Sequence, residues 1–525
     1  MTLSKWALLG AIFSTLCAAN AFAQTGVQQP SAIQRTAFEY SNYYSQEDSP
    51  PSPSDKAPAA APAAAPACAP ACAPACAPAC AAAPAAEECS ECSDDCPEGC
   101  CLGGPFDPCC KLTDPWKLFD CEALKCRNIN VAGYFVQSYT GNPQNPADKF
   151  NGPLTWTDRA NDYQVNQWLT YAERPTNTNG YGWDFGGRAD IMLGTDYRFN
   201  TESGLETRTQ FTNPKISTQR FYGIAFTQFY FEVARNNLKL KVGHWYSPVG
   251  YEGVQTVANF FTTLPYTFQY GEPFTHTGAL ATWTVNEKLT IGAGIMRGWD
   301  NFDNNNPGVG YIGTFTRTFE DKSSLAIVQV LSREPNQQNN VNIQSGFGQG
   351  NDNAHSMRFL QTNVYSRPLA RISSKLNYVY QTDFGYQTQA LVNDRAAKYY
   401  GQNQYLFYKV SDTFTWGLRG EWFRDEEGFR VGGFQSFTPD GSLRGLSDNR
   451  SGYNGTFYEI TLGANWKPNA NGVLRPMVRF DWFQGMQSAF TNPGYTGGSN
   501  SGGAPYDGGL KNHQFIWGGD YVLLY

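Results

Sequence analysis

Five arginines, Arg188, Arg358, Arg419, Arg475 and Arg479, lie in the cysteine-free part of the chain, most of them alternating with apolar or aromatic residues. Acids share their parity: Asp190 beside Arg188, Glu421 beside Arg419, and Asp481 beside Arg479. The run 474–482 shows the pattern, with Leu474, Val478, Phe480 and Trp482 set against Arg475, Arg479 and Asp481. A period of two is that of an extended strand, so the charges share one face and the apolar groups the other. The chemistry open to such a set is electrostatic. The charges either line a polar space or pair with one another and hold a wall rigid.

Covalent and metal chemistry have weaker support. His244, His276, His355 and His513 are scattered without ligand spacing, so no metal site is expected from them. His355 and Ser356 are adjacent, and adjacent strand residues face opposite ways, so the pair cannot supply two members of one catalytic site. No Gly-x-Ser-x-Gly, Walker or dinucleotide pattern stands out. The sequence is read as a non-enzyme that needs no cofactor.

All fourteen cysteines precede Arg127. Cys68, Cys72, Cys76 and Cys80 recur four apart in Ala-Pro-Ala-Cys repeats; Cys89, Cys92, Cys96, Cys100, Cys101, Cys109, Cys110, Cys121 and Cys126 follow. Cys89 and Cys92 have the spacing of a metal pair, but no histidine accompanies them and the other spacings fit no zinc pattern. Disulfides are the expected state in an oxidising compartment. Loss of Cys17 with the leader leaves an odd number, which implies a thiol left over or bonded to another molecule, as in an envelope crosslink.

The elements that must position the arginines are short strands with strict alternation. Trp183, Phe185, Ala189, Ile191 and Leu193 oppose Asp184, Arg188 and Asp190; Phe414, Trp416, Leu418 and Trp422 oppose Thr415, Arg419 and Glu421. Ile372, Leu376, Tyr378 and Tyr380 are read as one face of another strand, whereas 224–233 is apolar on both faces and stays unoriented. Tight links at 234–237, 285–288, 320–323, 367–370, 411–413 and 467–472, with a somewhat longer one at 175–182, alternate with long polar links at 140–163, 196–223, 246–274, 300–309, 333–354, 385–403, 425–455 and 484–513. Short turns at one rim and long loops at the other are the habit of transmembrane barrels, and the count predicts about 16 strands. The fold class expected is therefore all-β, an antiparallel transmembrane β-barrel with a disordered Pro/Ala/Cys-rich N-terminal arm.

Composition agrees: 15% of residues are aromatic and only 16% charged, and the net charge of −7 excludes nucleic acid as a partner. Residues 1–23 read as a signal peptide, with Lys5, an apolar core and Ala21-Phe22-Ala23. The remaining divisions are a low-complexity linker at 24–86, a cysteine-rich segment at 87–127 and the barrel at 128–525. The final run places Phe515, Trp517, Tyr521, Leu523 and Tyr525 on one face. It resembles the closing strand of bacterial outer-membrane proteins, which implies Tyr521, Leu523 and Tyr525 as an assembly signal and the assembly machinery as a partner.

The link 246–274 differs in kind from the others. It is dense in aromatics and carries Glu252 and Glu272. Exposed aromatics would be sticky, so the loop is expected to fold against something. Its segment Lys241-Val-Gly-His-Trp-Tyr-Ser-Pro-Val-Gly-Tyr-Glu252, the Gly-Glu-Pro-Phe-Thr-His-Thr-Gly278 stretch and Trp183-Asp-Phe-Gly-Gly-Arg-Ala-Asp190 together resemble the outer-membrane beta-barrel porin family of OmpL-like proteins. The resemblance implies an outer-membrane location, membrane lipid as surroundings and passive diffusion of small polar solutes. By analogy with general porins, the third long loop constricts the pore, with Glu252 and Glu272 facing the inward arginines. Self-association, or crosslinks through the cysteines, is a further expectation. A second class stays open, a structural or adhesive surface protein with the barrel as anchor and the cysteine-rich arm as crosslinker.

Overall fold

Alternation along the chain becomes a wall with two faces. In the computed structural model of the protein, which describes residues 112, 114–146, 149–202, 204–206, 221–303, 308–334, 356–390, 395–431, 453–487, 504–507 and 511–525, sixteen strands form one closed barrel. They are β1 (Asn130–Gly141), β2 (Asp162–Arg174), β3 (Trp183–Gly194), β4 (Gly223–Arg235), β5 (Leu238–Tyr246), β6 (Thr275–Asn286), β7 (Leu289–Met296) and β8 (Gly310–Thr318). The second half comprises β9 (Ser324–Arg333), β10 (Met357–Pro368), β11 (Leu376–Gln387), β12 (Ala397–Lys409), β13 (Phe414–Asp425), β14 (Tyr453–Asn469), β15 (Gly472–Gln487) and β16 (His513–Leu524). Each pairs antiparallel with its sequence neighbours, and β1 meets β16 with Tyr134 opposite Leu524 and Gly141 opposite Trp517. Closure removes both free edges, so every wall strand has partners on either side.

Outward side chains are large and apolar: Trp183, Phe185, Phe231, Leu240, Trp416 and Leu418 are all exposed. Inward positions carry the polar groups, and Arg358, Arg419, Arg475 and Arg479 are buried. The strand left unoriented by its sequence resolves in the same way. In β4, Phe231 and Val233 pair with the exposed Val242 and Leu240 of β5. Gln228, Tyr230 and Glu232 therefore point inward.

The tight links hold few residues. Asn236 and Asn237 alone join β4 to β5, and Asn236 has φ of 53°, a conformation asparagine tolerates better than most residues. Two boundaries differ from expectation. The link 385–403 is shorter, because β11 runs to Gln387 and pairs it with Ala397. The alternation simply continues there, and the Tyr399 ring lies over Gly385, where a Cβ would sit 2.0 Å from it. Ile372 belongs to no strand. It lies 74% exposed in the β10–β11 turn, where Ile372 and Ser373 donate backbone N–H groups to the Leu369 carbonyl.

Before the barrel, a single-turn helix α1 (Glu122–Lys125) is flanked by Cys121 and Cys126. The remaining cysteines, the leader and the expected arm lie outside the described residues.

Candidate functional site: the lumen and the loop that crosses it

The β5–β6 link, residues 247–274, is buried almost throughout. It leaves the wall at β5 and bonds both to nearby β2 and, across the lumen, to β11–β13. Gln167 of β2 donates to the Val254 carbonyl at 2.9 Å, and Gln381 of β11 accepts from the Tyr251 N–H at 2.8 Å. Tyr399 of β12 donates to the Gly271 carbonyl at 3.0 Å. Glu421 of β13 accepts from the backbone N–H groups of Tyr266 and Thr267 at 2.6 and 2.5 Å. The Tyr266 hydroxyl meets that of Tyr506, from the β15–β16 link, at 2.9 Å.

Three wall arginines grip this loop by its carbonyl oxygens, and Arg430 beyond the wall does the same at Tyr270. Arg419 donates to Thr263 at 2.8 Å, Arg479 to Leu264 at 2.7 Å, and Arg475 to Thr256 at 2.8 Å and to Asn259. Each also keeps a carboxylate. Arg419 bridges Glu252 at 2.7 Å and Glu459 at 2.9 Å; Arg475 forms a two-pronged pair with Asp520 at 2.7 and 2.6 Å; Arg479 contacts Asp481 at 2.8 Å. A guanidinium presents five donors in a fixed fork, so it can satisfy an acid and a carbonyl at once.

Among the described residues, Arg188 and Arg358 make no such contact with the loop. Arg188 pairs with Asp190 at 2.6 Å and Glu173 at 3.2 Å, its guanidinium 3.9 Å above the Tyr171 ring. Arg358 donates to Gln387 at 2.8 Å and stacks 4.4 Å over Trp299. Arg430, which follows β13, lies 5.2 Å over the same Trp299 and donates to the Tyr270 carbonyl at 2.5 Å.

The two loop acids part ways. Glu252 meets Arg419, as described. Glu272 does not meet an arginine: it accepts from Gln381 at 2.6 Å and lies against Asp383. Burial, and then the Asp383 charge, hold the Glu272 carboxyl well above the ordinary carboxylate range. Two carboxyls in contact and out of water share a proton more readily than they carry two charges. Gly250 makes room for this acid. Its φ is +81°, and a Cβ there would lie 2.0 Å from the Glu272 carboxylate.

Aromatic packing completes the filling. Trp156, Phe199, Tyr246, Val254, Leu264, Phe268 and Phe274 form one buried cluster that draws on the β1–β2, β3–β4 and β5–β6 links. Trp156 stacks on Phe199 at 4.9 Å and meets Phe274 edge-on at 5.1 Å. The inward face of β6–β9 is buried towards the long-loop rim, at Leu280, Met296, Ile312, Val328 and Val330, and less covered towards the short-turn rim. Thr282, Thr284, Thr290, Thr314, Thr316 and Ala326 share that face by register and stay partly exposed.

Sequence parity set Gln381 and Asp383 on the polar face opposite Leu376, Tyr378 and Tyr380, but it did not single out Asp520, Glu173, Trp299, Arg430 and Tyr506. Asp520 carried the right signal, being polar at inward parity within an apolar strand. Trp299, Arg430 and Tyr506 belong to long links, where no period exists to read. At the chain's end, Tyr525 exchanges backbone hydrogen bonds with Gly133 at 2.9 and 3.0 Å. Its hydroxyl meets Trp168 Nε1 at 3.0 Å and Thr170 Oγ1 at 2.7 Å on the outer face. Tyr521 and Leu523 lie on the same outward face of β16, opposite Gln137 and Phe135.

Comparison with known proteins adds the following. Residues 128–505 match the profile of a family described as "Putative beta-barrel porin-2, OmpL-like". No curated protein matches the chain. Among solved structures, the chain is similar to the high-pH structure of Pseudomonas putida OprB, at 12% identity and a TM-score of 0.46, over 77% of this chain and 96% of that one. An anion-selective porin from Comamonas acidovorans matches at 8% identity and a TM-score of 0.45, over 76% and 99%. The outer membrane channel DcaP of Acinetobacter baumannii matches at 8% identity and 0.43, over 76% and 97%.

Proposed function

The chain belongs to the OmpL-like family of beta-barrel porins, and from that premise we propose that it is a diffusion pore for small hydrophilic solutes, narrowed by the loop at 247–274. The observation that supports this reading is the asymmetry of the lumen. The loop is bonded to β11–β15, while the threonine-bearing half of the inward face of β6–β9, towards the short-turn rim, stays partly open. Threonine hydroxyls replace some of a polar solute's hydration without binding it strongly, which suits passage rather than capture. Arg188 with Asp190 and Glu173 sets fixed charges of both signs beside that route. Arg419, Glu421, Arg475, Arg479 and Asp481, with Glu252 and Glu272, act mainly by holding the loop, and Arg358 braces Trp299 and Gln387 beside it. The Tyr521–Tyr525 end serves as the assembly signal of an exported outer-membrane protein, with an N-terminal signal peptide and disulfides in the cysteine-rich arm.

The test is conductance in a planar bilayer. Deleting residues 255–269 should raise single-channel conductance several-fold, and replacing Thr290 and Thr314 with Trp should lower it. If the intact protein forms no channel and the deletion opens none, the reading is wrong. The density of packing between the loop and β11–β16 favours a second reading, a barrel closed by its own loops and serving as a surface anchor. That reading predicts no conductance before the deletion and a large one after it.

A further inference from the structure

The outer wall carries one feature that lipid does not explain. Around most of the barrel the outward mid-strand positions are apolar, as at Phe185, Ile191, Phe231, Leu240, Leu462 and Phe480, all exposed. Across β9–β12 they are not. Gln329, Gln361, Asn363, Thr382, Gln402 and Gln404 all take the outward parity, because Val328, Leu360, Thr362, Gln381, Asn403 and Tyr405 between them are buried on the lumen side. Register sets them side by side: Gln329 opposite Gln361, Asn363 opposite Thr382, and Thr382 opposite Gln402.

They are bonded into a lateral chain. Gln329 donates to Gln361 at 2.9 Å, Gln361 to Asn363 at 3.3 Å, and Asn363 to Thr382 at 3.2 Å. Tyr380 and Tyr378 donate to Gln402 and Gln404, each at 3.0 Å. The patch sits at mid-strand, Thr382 being near the centre of β11 (Leu376–Gln387) and Gln402 near that of β12 (Ala397–Lys409). Rings flank it along β11 and β12: Phe384, Tyr386 and Tyr400 towards one rim, Tyr378 and Tyr408 towards the other. Interfacial aromatics bracket the hydrocarbon layer, so the amides lie at its depth.

Each primary amide has two donors and an acceptor oxygen with two lone pairs. The bonds of Gln329, Gln361 and Asn363 use only part of that capacity, and acyl chains can supply none of the rest. Uncharged amides at this depth are the groups by which membrane proteins hold to one another.

We infer that this patch on β9–β12 is an interaction surface for a second copy of the same chain, meeting it across a two-fold axis. Amides are self-complementary: the same row turned through a half-turn offers acceptors to donors and donors to acceptors. No second cluster of outward amides occurs among the described strands, so a rotational contact between unlike faces would press the patch against an apolar wall. The isologous two-fold arrangement satisfies both copies. The inference is independent of whether the lumen conducts.

The experiment uses the full chain in outer membranes, under reductant to remove cysteine crosslinks from the arm. A photoreactive benzoylphenylalanine replaces Gln361 in one variant and Ile460, on the exposed wall of β14, in another. The expected product at position 361 is a covalent pair of chains, with adduct peptides from β9–β12 on both; position 460 gives none. In parallel, Asn363→Leu with Gln402→Leu should lower the dimer-to-monomer ratio of the detergent-extracted protein at least tenfold by native mass spectrometry. The heat-shifted gel mobility of the folded barrel should not change. A wild type that is monomeric, a three-fold assembly, a pair crosslinked from position 460, or an adduct at 361 made only with lipid or another protein would each overturn the proposal. Conductance per barrel, measured on the same variants, keeps this outcome separate from that of the pore assignment.

Discussion

At the scale of single residues, Arg419 carries the largest load. It is fully buried and holds Glu252, Glu459 and the Thr263 carbonyl together. Arg419→Met leaves two carboxylates buried with their common partner gone. Breaking such an arrangement from one side costs about 3–5 kcal/mol. The expected result is a lower midpoint for the gel shift between folded and heat-denatured barrel, and adding Glu252→Gln should restore part of the loss. Glu272 predicts a pH effect of definite sign. Its ordinary value is 4.5 and the folded protein holds it higher, chiefly through burial. The folded state therefore keeps a proton that the unfolded chain releases, so this contribution is complete below about pH 4.5 and is lost as pH rises towards the folded value. Denaturant midpoints measured from pH 4 upward should fall across that window, and Glu272→Gln, which mimics the protonated acid, should flatten the fall. The arginines were legible because period two gives each residue its face. Their partners were not: Asp520 reaches Arg475 through the β15–β16 register, and register is a property of two strands rather than of one.

At the scale of the element, the closing seam depends on a space as much as on a side chain. A Cβ at Gly133 would lie 2.2 Å from the Leu169 carbonyl of β2 and 2.6 Å from the Tyr525 ring, which rests over that glycine on the outer face, so a side chain there strains the β1–β2 pairing as well as the ring. Gly133→Val should therefore displace the ring, and the folded fraction in the outer membrane should drop about as much as on deletion of Tyr525. If Gly133→Val assembles normally while the deletion does not, the terminal ring acts only before closure. The crossing loop was legible as an element that must bury itself, because its aromatics had no other outlet. Its bonds to β11–β15 were not, since they join residues more than 100 positions apart, such as Thr267 with Glu421. The β11–β12 boundary was misplaced because Gly385, Gly401 and the glutamines near them read as loop. In a wall closed on both sides, pairing overrides such weak propensities.

At the scale of the whole molecule, the alternation of short and long links sufficed for the strand count, since an antiparallel wall in a membrane has two rims with unequal demands. The inside–outside assignment can be checked by moving one charge. Ile460→Arg, on the exposed wall of β14, should cost about 2–4 kcal/mol of folding free energy if it sits near the bilayer midplane, measured by denaturant titration in liposomes. Thr314→Arg, on the partly open lumen face of β8, should cost much less. Equal penalties would mean that one of the two faces is wrongly assigned.

The grip of the three arginines on the crossing loop has one more consequence. They hold Thr256, Asn259, Thr263 and Leu264 by main-chain oxygen, and every residue type offers the same oxygen at the same place. The tether and the lettering of the loop are thus separable. A designer could rewrite the side chains that the loop shows to the open side, for charge, bulk or a reporter group, and leave the clasp itself unaltered. The barrel would then serve as a socket with an exchangeable insert.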